Sequence, residues 1–327
     1  MTPPRRAVLA LAVTACLALS ACGGGEQESA STGTGQSGFP RTVEHVMGSA
    51  QIEKQPATVA ALDSSYVDAT LALETKLVAY TKYRNYDKLP DYLGDDRKYA
   101  EGAKEIGALE SPDIEKLYDI KPDLIVSAKV RHEKFYAEFS KVAPTVFSQT
   151  TGATWKDNIR LLGKALGKET LAEQKIKSYE ERARKVGDAI KAKLGKPAAV
   201  SVVRFIEGEP TVRLYSSASF PGTVMADAGL QRPAGQPDNK AKISNDLSQE
   251  EIGKLDAEAI FIASYTDETK QAENPMTKFQ SNPLWGTLKG KKIDVNDTTW
   301  FTSVSLQGAN AMLDDIAKQF GVDSFRS

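Results

Sequence analysis

The sequence is poor in the residues that build covalent or metal-held scaffolds. Its 327 residues include two cysteines, Cys16 and Cys22, and two histidines, His45 and His132. That arithmetic excludes a disulfide-rich framework and a zinc-held one. Charge of one sign is also missing. The chain has 42 basic and 43 acidic residues for a net charge of -1, so it lacks the basic surface a nucleic-acid partner requires. No apolar run is long enough for a stable membrane span; the one that opens at Ala7 falls short. There is no G-x-S-x-G elbow, no thiol beyond residue 22 and no histidine pair at ligand spacing. An enzyme would need one such nucleophile, metal cage or acid–base pair, and none is offered.

What is present is a globular composition, 41% hydrophobic and 26% charged, in a chain long enough for two domains. The start, "MTPPRRAVLALAVTACLALSAC", has a basic head at Arg5 and Arg6, an apolar stretch and small residues before a cysteine, which is a signal peptide. Leu19-Ser20-Ala21-Cys22 resembles a bacterial lipobox, in which the cysteine is lipidated and becomes the new N-terminus. Val13-Thr14-Ala15-Cys16 fits the same pattern, but choosing it would strand "LALSA" on the mature chain, so Cys22 is the expected anchor. A Gly/Ser/Thr tether follows, with almost nothing to bury. Gly33 to Gly38 matches G-x-G-x-x-G there, yet it has a linker before it and Phe39-Pro40 after it. The strand and helix of a dinucleotide site are absent.

Beyond the tether, short β-branched runs alternate with helical spacing, as in "ATVAALDSS", "KLVAYT", "DLIVSA" and "PTVFS". Ala172, Ile176, Tyr179, Ala183, Val186, Ile190 and Leu194 then mark one amphipathic helix, stopped by Gly195 and Pro197. It would run on the order of 36 Å, enough to join two lobes as a strut. The alternation restarts with "AVSVVRFI", "TVRLYSS", "AIFIAS" and "KIDVND". The expected organisation is a signal peptide 1–21, an anchor and tether 22–40, an α/β lobe 41–168, an interlobe helix 169–195 and a second α/β lobe 196–327. Mainly parallel sheets complete the expected fold class.

One unit occurs twice. "SPDIEKLYDIKPDLIVSA" (Ser111 to Ala128) returns 135 positions later as "LSQEEIGKLDAEAIFIAS", with Glu115 laid on Glu250 and Asp123 on Glu258. Ser111 is the expected N-cap of the first copy with Pro112 at N1, and Ser248 and Glu251 form a capping box in the second. A first-turn glutamate is favoured by the helix dipole alone, which leaves a purely structural reading of Glu115 and Glu250 open.

These repeats, with "KVAPTVF", "WKDNIRLLGKALGKE", "VSVVRF", "RLYSSASFPGTVMADAGLQRP" and "NPLWGTLKGKKIDVNDTTWF", resemble the siderophore and cobalamin substrate-binding lipoproteins of ABC importers. The resemblance runs from about Arg41 to the C-terminus. It implies two α/β lobes joined by one long helix with a ligand cleft between the lobes, and an extracytoplasmic, lipid-anchored monomer. It also implies that Glu115 and Glu250, one per lobe, dock into arginine-lined pockets on the permease subunits.

Ligands of open α/β sheets sit beyond the carboxyl ends of strands. That places Tyr66, Tyr83, Arg84, Arg131, Trp155, Arg204, Tyr215, Phe220 and Trp300 as ligand-binding candidates. Loop aromatics equally serve to pack a lobe edge, and solvation competes for Arg84 and Arg131. His132 reads as a surface residue. Aromatic walls with a few arginines favour a ferric hydroxamate siderophore over a highly charged catecholate complex, the iron being held by the siderophore without a protein cofactor or metal site. Cobalamin or haem binding and a sensor role stand as alternatives.

Overall fold

The computed structural model describes residues 38–82, 88–266 and 272–326. Cys22, Tyr83 and Arg84 lie outside them. The first lobe is built on a five-stranded sheet in the order Lys104–Glu105, Lys76–Tyr80, Thr58–Ala61, Leu124–Ala128, Thr145–Ser148. All its neighbours are parallel. Parallel strands covered on both faces read as continuous apolar runs, and Leu124–Ala128 is buried at every position.

The second sheet follows the same spatial plan, Ser244–Leu247, Val212–Tyr215, Val200–Ile206, Ala259–Tyr265, Lys291–Asp294. Its last three strands are parallel. Its first three form an antiparallel meander. The cause is connection length. Ile206 and Val212 are too close in sequence for a crossover of a dozen residues, so the chain must turn straight back. Gly208, at φ 83°, sits in that turn.

The repeated unit has a visible purpose at its lower end. Asp123 accepts hydrogen bonds from the backbone amides of Ala57 and Thr58 at 3.1 and 3.0 Å and from Thr58 Oγ1 at 2.8 Å. Its counterpart Glu258 accepts from the Ala199 amide at 2.9 Å. Each acid ties the foot of its own strand to the start of the central strand beside it. The upper ends differ. Asp113 caps the helix Ile114–Ile120 by accepting from the Lys116 amide. The expected cap Ser111 instead pairs with Ala108 in a two-residue ladder, because that ladder carries Ser111 and Pro112 away from the helix. In the second copy the Ser248–Glu251 capping box is present, on a 3-10 segment Gln249–Leu255.

Glu169–Leu194 is the single long helix between the lobes, ended by Gly195 in the left-handed region. Its buried stripe runs from Ala172 to Ile190, while Leu194 is 41% exposed. Gly187 is required by contact. A Cβ there would lie 1.8 Å from the carbonyl oxygen of Ala228, at the end of the helix Phe220–Asp227. Around this helix the inner faces of both sheets share one apolar core, from Val59 and Val126 through Ile176 and Val186 to Val202 and Phe261. Each lobe keeps a smaller core on its outer face.

Polar contacts close the seam. The Trp155 indole donates to Thr223 Oγ1 at 3.0 Å. Lys156 bridges Asp227 and Glu180 at 2.9 and 2.8 Å. On the other flank Ser305 and Tyr92 hydroxyls both donate to buried Asp68 at 2.8 Å.

Candidate functional site

Numbering the strands of each lobe along the chain, both sheets have the order 3-2-1-4-5, so the direction of winding reverses beside the first strand. The crevice for a ligand lies at the carboxyl ends there. In the first lobe that point is the gap between the ends of Thr58–Ala61 and Leu124–Ala128. The segments leaving it carry Asp63, the cap of the helix Ser64–Ala72, and Arg131, in the short helix Lys129–His132. Asp63 is 2% exposed. One of its oxygens accepts from the Ser65 amide at 2.9 Å and the Ser65 hydroxyl at 2.5 Å. The other accepts from Arg131 Nε at 2.9 Å. The Arg131 side chain is 40% exposed, and its two terminal nitrogens make no hydrogen bond among the described residues. A buried carboxylate thus fixes one edge of the guanidinium and leaves the fork facing outward, ready to meet an oxygen pair.

The second lobe's switch point lies between Val200–Ile206 and Ala259–Tyr265. Arg204 is there, but it is 4% exposed and already engaged. Its Nε and Nη2 donate to the two oxygens of Asp297 at 2.5 and 2.7 Å. Nη1 reaches the Tyr215 hydroxyl at 3.4 Å. Phe301 and Tyr265 rings flank the guanidinium at 5.0 and 5.4 Å. Burial works against the charge, and Tyr215 and Asp297 outweigh it, holding Arg204 above its ordinary pKa. The expected ligand donor is therefore spent on its own lobe. Nearby, Arg213 is likewise held by Glu209, its Nε and Nη2 each donating to one carboxylate oxygen.

The aromatic candidates depart from expectation for one reason, that the shared apolar core encloses them. Trp155 is 1% exposed, edge-on to Tyr179 and Phe220 at 5.1 and 5.8 Å. Phe220 is 3% exposed in the same cluster. Trp300 is fully buried, stacked on Phe261 at 4.7 Å with its indole donating to Asp315. Tyr215 packs 4.5 Å from Phe301 and is 5% exposed. Tyr66 is 1% exposed beneath Ser148, and burial pushes its phenol well above the usual range. A side chain enclosed on all faces presents no wall to a ligand, so these five belong to the core rather than the cleft lining. His132 is corrected too. It is buried, with Nε2–H donating to the Leu109 carbonyl at 2.5 Å and Nδ1 accepting from Ser127 at 2.7 Å.

Two residues of the site were not among the candidates, Asp63 and Asp297. Asp297 is 93 positions from Arg204, and no local pattern couples them. Asp63 stood in the quoted strand–loop "ATVAALDSS", where an acid before two serines signals a cap. A cavity of about 710 Å³ lies elsewhere, between the interlobe helix, the 3-10 segment Asp91–Ala100 and the closing helix Leu306–Phe320. None of the candidates lines it. Its Arg182 is committed to Asp314, Asn310 and the Ser324 carbonyl.

Residues 59–292 match the periplasmic binding protein family. The chain belongs to that family. Within it, the chain is 36% identical to the probable siderophore-binding lipoprotein YfiY of Bacillus subtilis, over 94% of this chain and 95% of that one. It is 25% identical to the Fe(3+)-citrate-binding protein YfmC of the same organism, over 96% of both. The structure of Staphylococcus aureus SirA complexed with staphyloferrin B superposes with a TM-score of 0.77 at 28% identity, covering 87% of this chain and 99% of SirA. Family membership makes the chain a binding protein rather than an enzyme. No helix among the described residues is long and apolar enough to cross a membrane.

Proposed function

We propose that the protein is an extracytoplasmic lipoprotein, anchored through Cys22, that captures a ferric siderophore and delivers it to the permease of an ABC importer. The relatives' names carry the substrate class, and the crevice chemistry refines it. The arginines at the two switch points are matched by carboxylates, exposed Arg131 by Asp63 and enclosed Arg204 by Asp297. A crevice so balanced suits a neutral or weakly charged complex, as ferric hydroxamates are, and repays poorly the desolvation of a highly anionic catecholate. Carboxylate siderophores are the second reading, favoured by the open fork of Arg131 and by the citrate-binding relative. Iron is cargo here, held by the siderophore.

Glu115 and Glu250 are exposed, and neither has an ion-pair partner among the described residues. That is the state expected of docking carboxylates that meet cations only on the permease.

The deciding measurement is tryptophan quenching of the purified protein by a ferric trihydroxamate, ferric citrate, a ferric tris-catecholate, cobalamin and haem. Saturable quenching by the trihydroxamate, with none by the catecholate, is expected. Quenching by cobalamin or haem alone would remove the siderophore reading. Replacing Cys22 by Ala should release the protein from membranes; retention would remove the anchor.

A further inference from the structure

Seven large apolar side chains are exposed among the described residues, and single exposed ones need no explanation. Two of the seven, however, lie on the segment that carries Glu115 and on the one packed against the segment of Glu250. Tyr118 is 47% exposed and lies one helical turn after Glu115, so both project from one face of Ile114–Ile120. Leu117 beside it is fully buried in the outer core and anchors that helix. The Tyr118 hydroxyl makes no hydrogen bond among the described residues.

In the second lobe the neighbour comes from a different segment. The turn equivalent to Tyr118 offers Gly253, where a Cβ would meet nothing within 4 Å. Instead the 3-10 segment Pro283–Thr287 packs against Gln249–Leu255. Asn282 joins them, its Nδ2 donating to Gln249 Oε1 at 3.2 Å while its own oxygen caps the Leu284 amide at 2.9 Å. Trp285 turns inward at 8% exposure, and Leu284 turns outward at 40%. Leu284 is thereby presented on the segment that Asn282 ties to Gln249, the residue before Glu250.

We propose that the permease-facing surface consists of two carboxylate–apolar pairs, Glu115 with Tyr118 and Glu250 with Leu284. The partner that fits is a membrane protein offering, on each of two subunits, a cationic pocket bordered by an apolar depression. This rests on the docking reading above and adds the residues that exclude water around each ion pair. Desolvation by a flanking apolar contact is what makes an interfacial charge pair count, and a tyrosine does this with little entropy loss because only two torsions must be fixed. The first lobe should accordingly supply the stronger contact, since tyrosine is enriched at energetic centres of interfaces and leucine is not.

The test uses full-length lipidated protein in cells with its permease, supplied with radioactive iron as ferric citrate or a ferric trihydroxamate, whichever quenches the tryptophans. Tyr118→Ala should lower the import rate about tenfold and Leu284→Ala about threefold, with quenching by the same ligand unchanged. Tyr118→Phe should import as wild type, since the ring and not the hydroxyl makes the contact. If Tyr118→Ala and Leu284→Ala import normally while the Glu115→Ala, Glu250→Ala double variant does not, the apolar pairing is wrong and glutamate docking stands. If the double glutamate variant also imports normally, the docking reading falls and the pairing with it. A fall in ligand quenching, or in melting temperature, that tracks the fall in import would show a structural role and overturn the proposal.

Discussion

The two lobes share one strand order, yet they treat the arginine at the switch point in opposite ways. In the first lobe Asp63 takes only the Nε edge of Arg131 and leaves the fork outside. In the second, Asp297 takes two nitrogens of Arg204, and Tyr215, Tyr265 and Phe301 close over it. The same residue type keeps an open fork in one setting and is a keystone in the other. What separates them is how many of the guanidinium's five donors the protein itself satisfies. The antiparallel meander contributes to this. It sets Tyr215 beside the parallel core strand, where its hydroxyl reaches Arg204.

The sharpest way to break the comparison is to unpair the buried arginine. Asp297→Ala leaves Arg204 charged and enclosed, and should cost about 3–5 kcal/mol of folding stability, read by urea unfolding. A loss under about 1 kcal/mol would mean water reaches the guanidinium. Arg131→Ala should act on both properties, weakening ligand binding by about 1.5–3 kcal/mol in a quenching titration and costing about 1–3 kcal/mol of folding stability, because one oxygen of buried Asp63 loses its cation. Equal binding by variant and wild type would take Arg131 out of the site. The paired feet of the lobes should differ by less. Asp123→Ala abandons two amides and a hydroxyl, Glu258→Ala one amide, so about 2 against about 1 kcal/mol is expected from denaturation of the two variants.

The smallest effect concerns acid. Burial pushes the pKa of His132 below its ordinary 6.5, against the raising influence of the Leu109 carbonyl and Asp63. Above pH 6.5 the ring is neutral folded or unfolded and stability does not depend on it. As pH falls below that value the unfolded chain takes the proton first, so stability declines towards the lower folded pKa. His132→Gln should flatten this acid limb in melting experiments between pH 7 and about 5. An unchanged limb would assign the decline to other groups.

Much of the fold was legible because it rests on period and punctuation. The long helix is declared by apolar residues from Ala172 to Ile190 and closed by Gly195. The Ser248–Glu251 box is local chemistry four residues long. The alternation of strands and helices gave both lobes. The meander was missed although the short Ile206–Val212 spacing forbids a crossover, because apolar runs alone carry no strand direction. Ser111 was a fair cap on composition, but a ladder formed with Ala108 decides its fate, and that pairing is tertiary. The site was less readable. An aromatic side chain that lines a cleft and one that seals a seam have the same sequence signature, so Trp155 and Trp300 gave no warning of their burial. Arg204 gave none of its partner, since a buried ion pair is defined by a fold and not by spacing.

The core that runs unbroken from Val59 through Ile176 to Phe261 has a thermodynamic consequence. Two sheets ordinarily suggest two melting units, each able to open while the other holds. Here neither inner face can be exposed to water without stripping the helix that also covers the other. The lobes are obliged to unfold together, so heat should produce one transition, and amides in both sheets should exchange through the same global opening. Damage to either lobe is then felt as a loss of the whole.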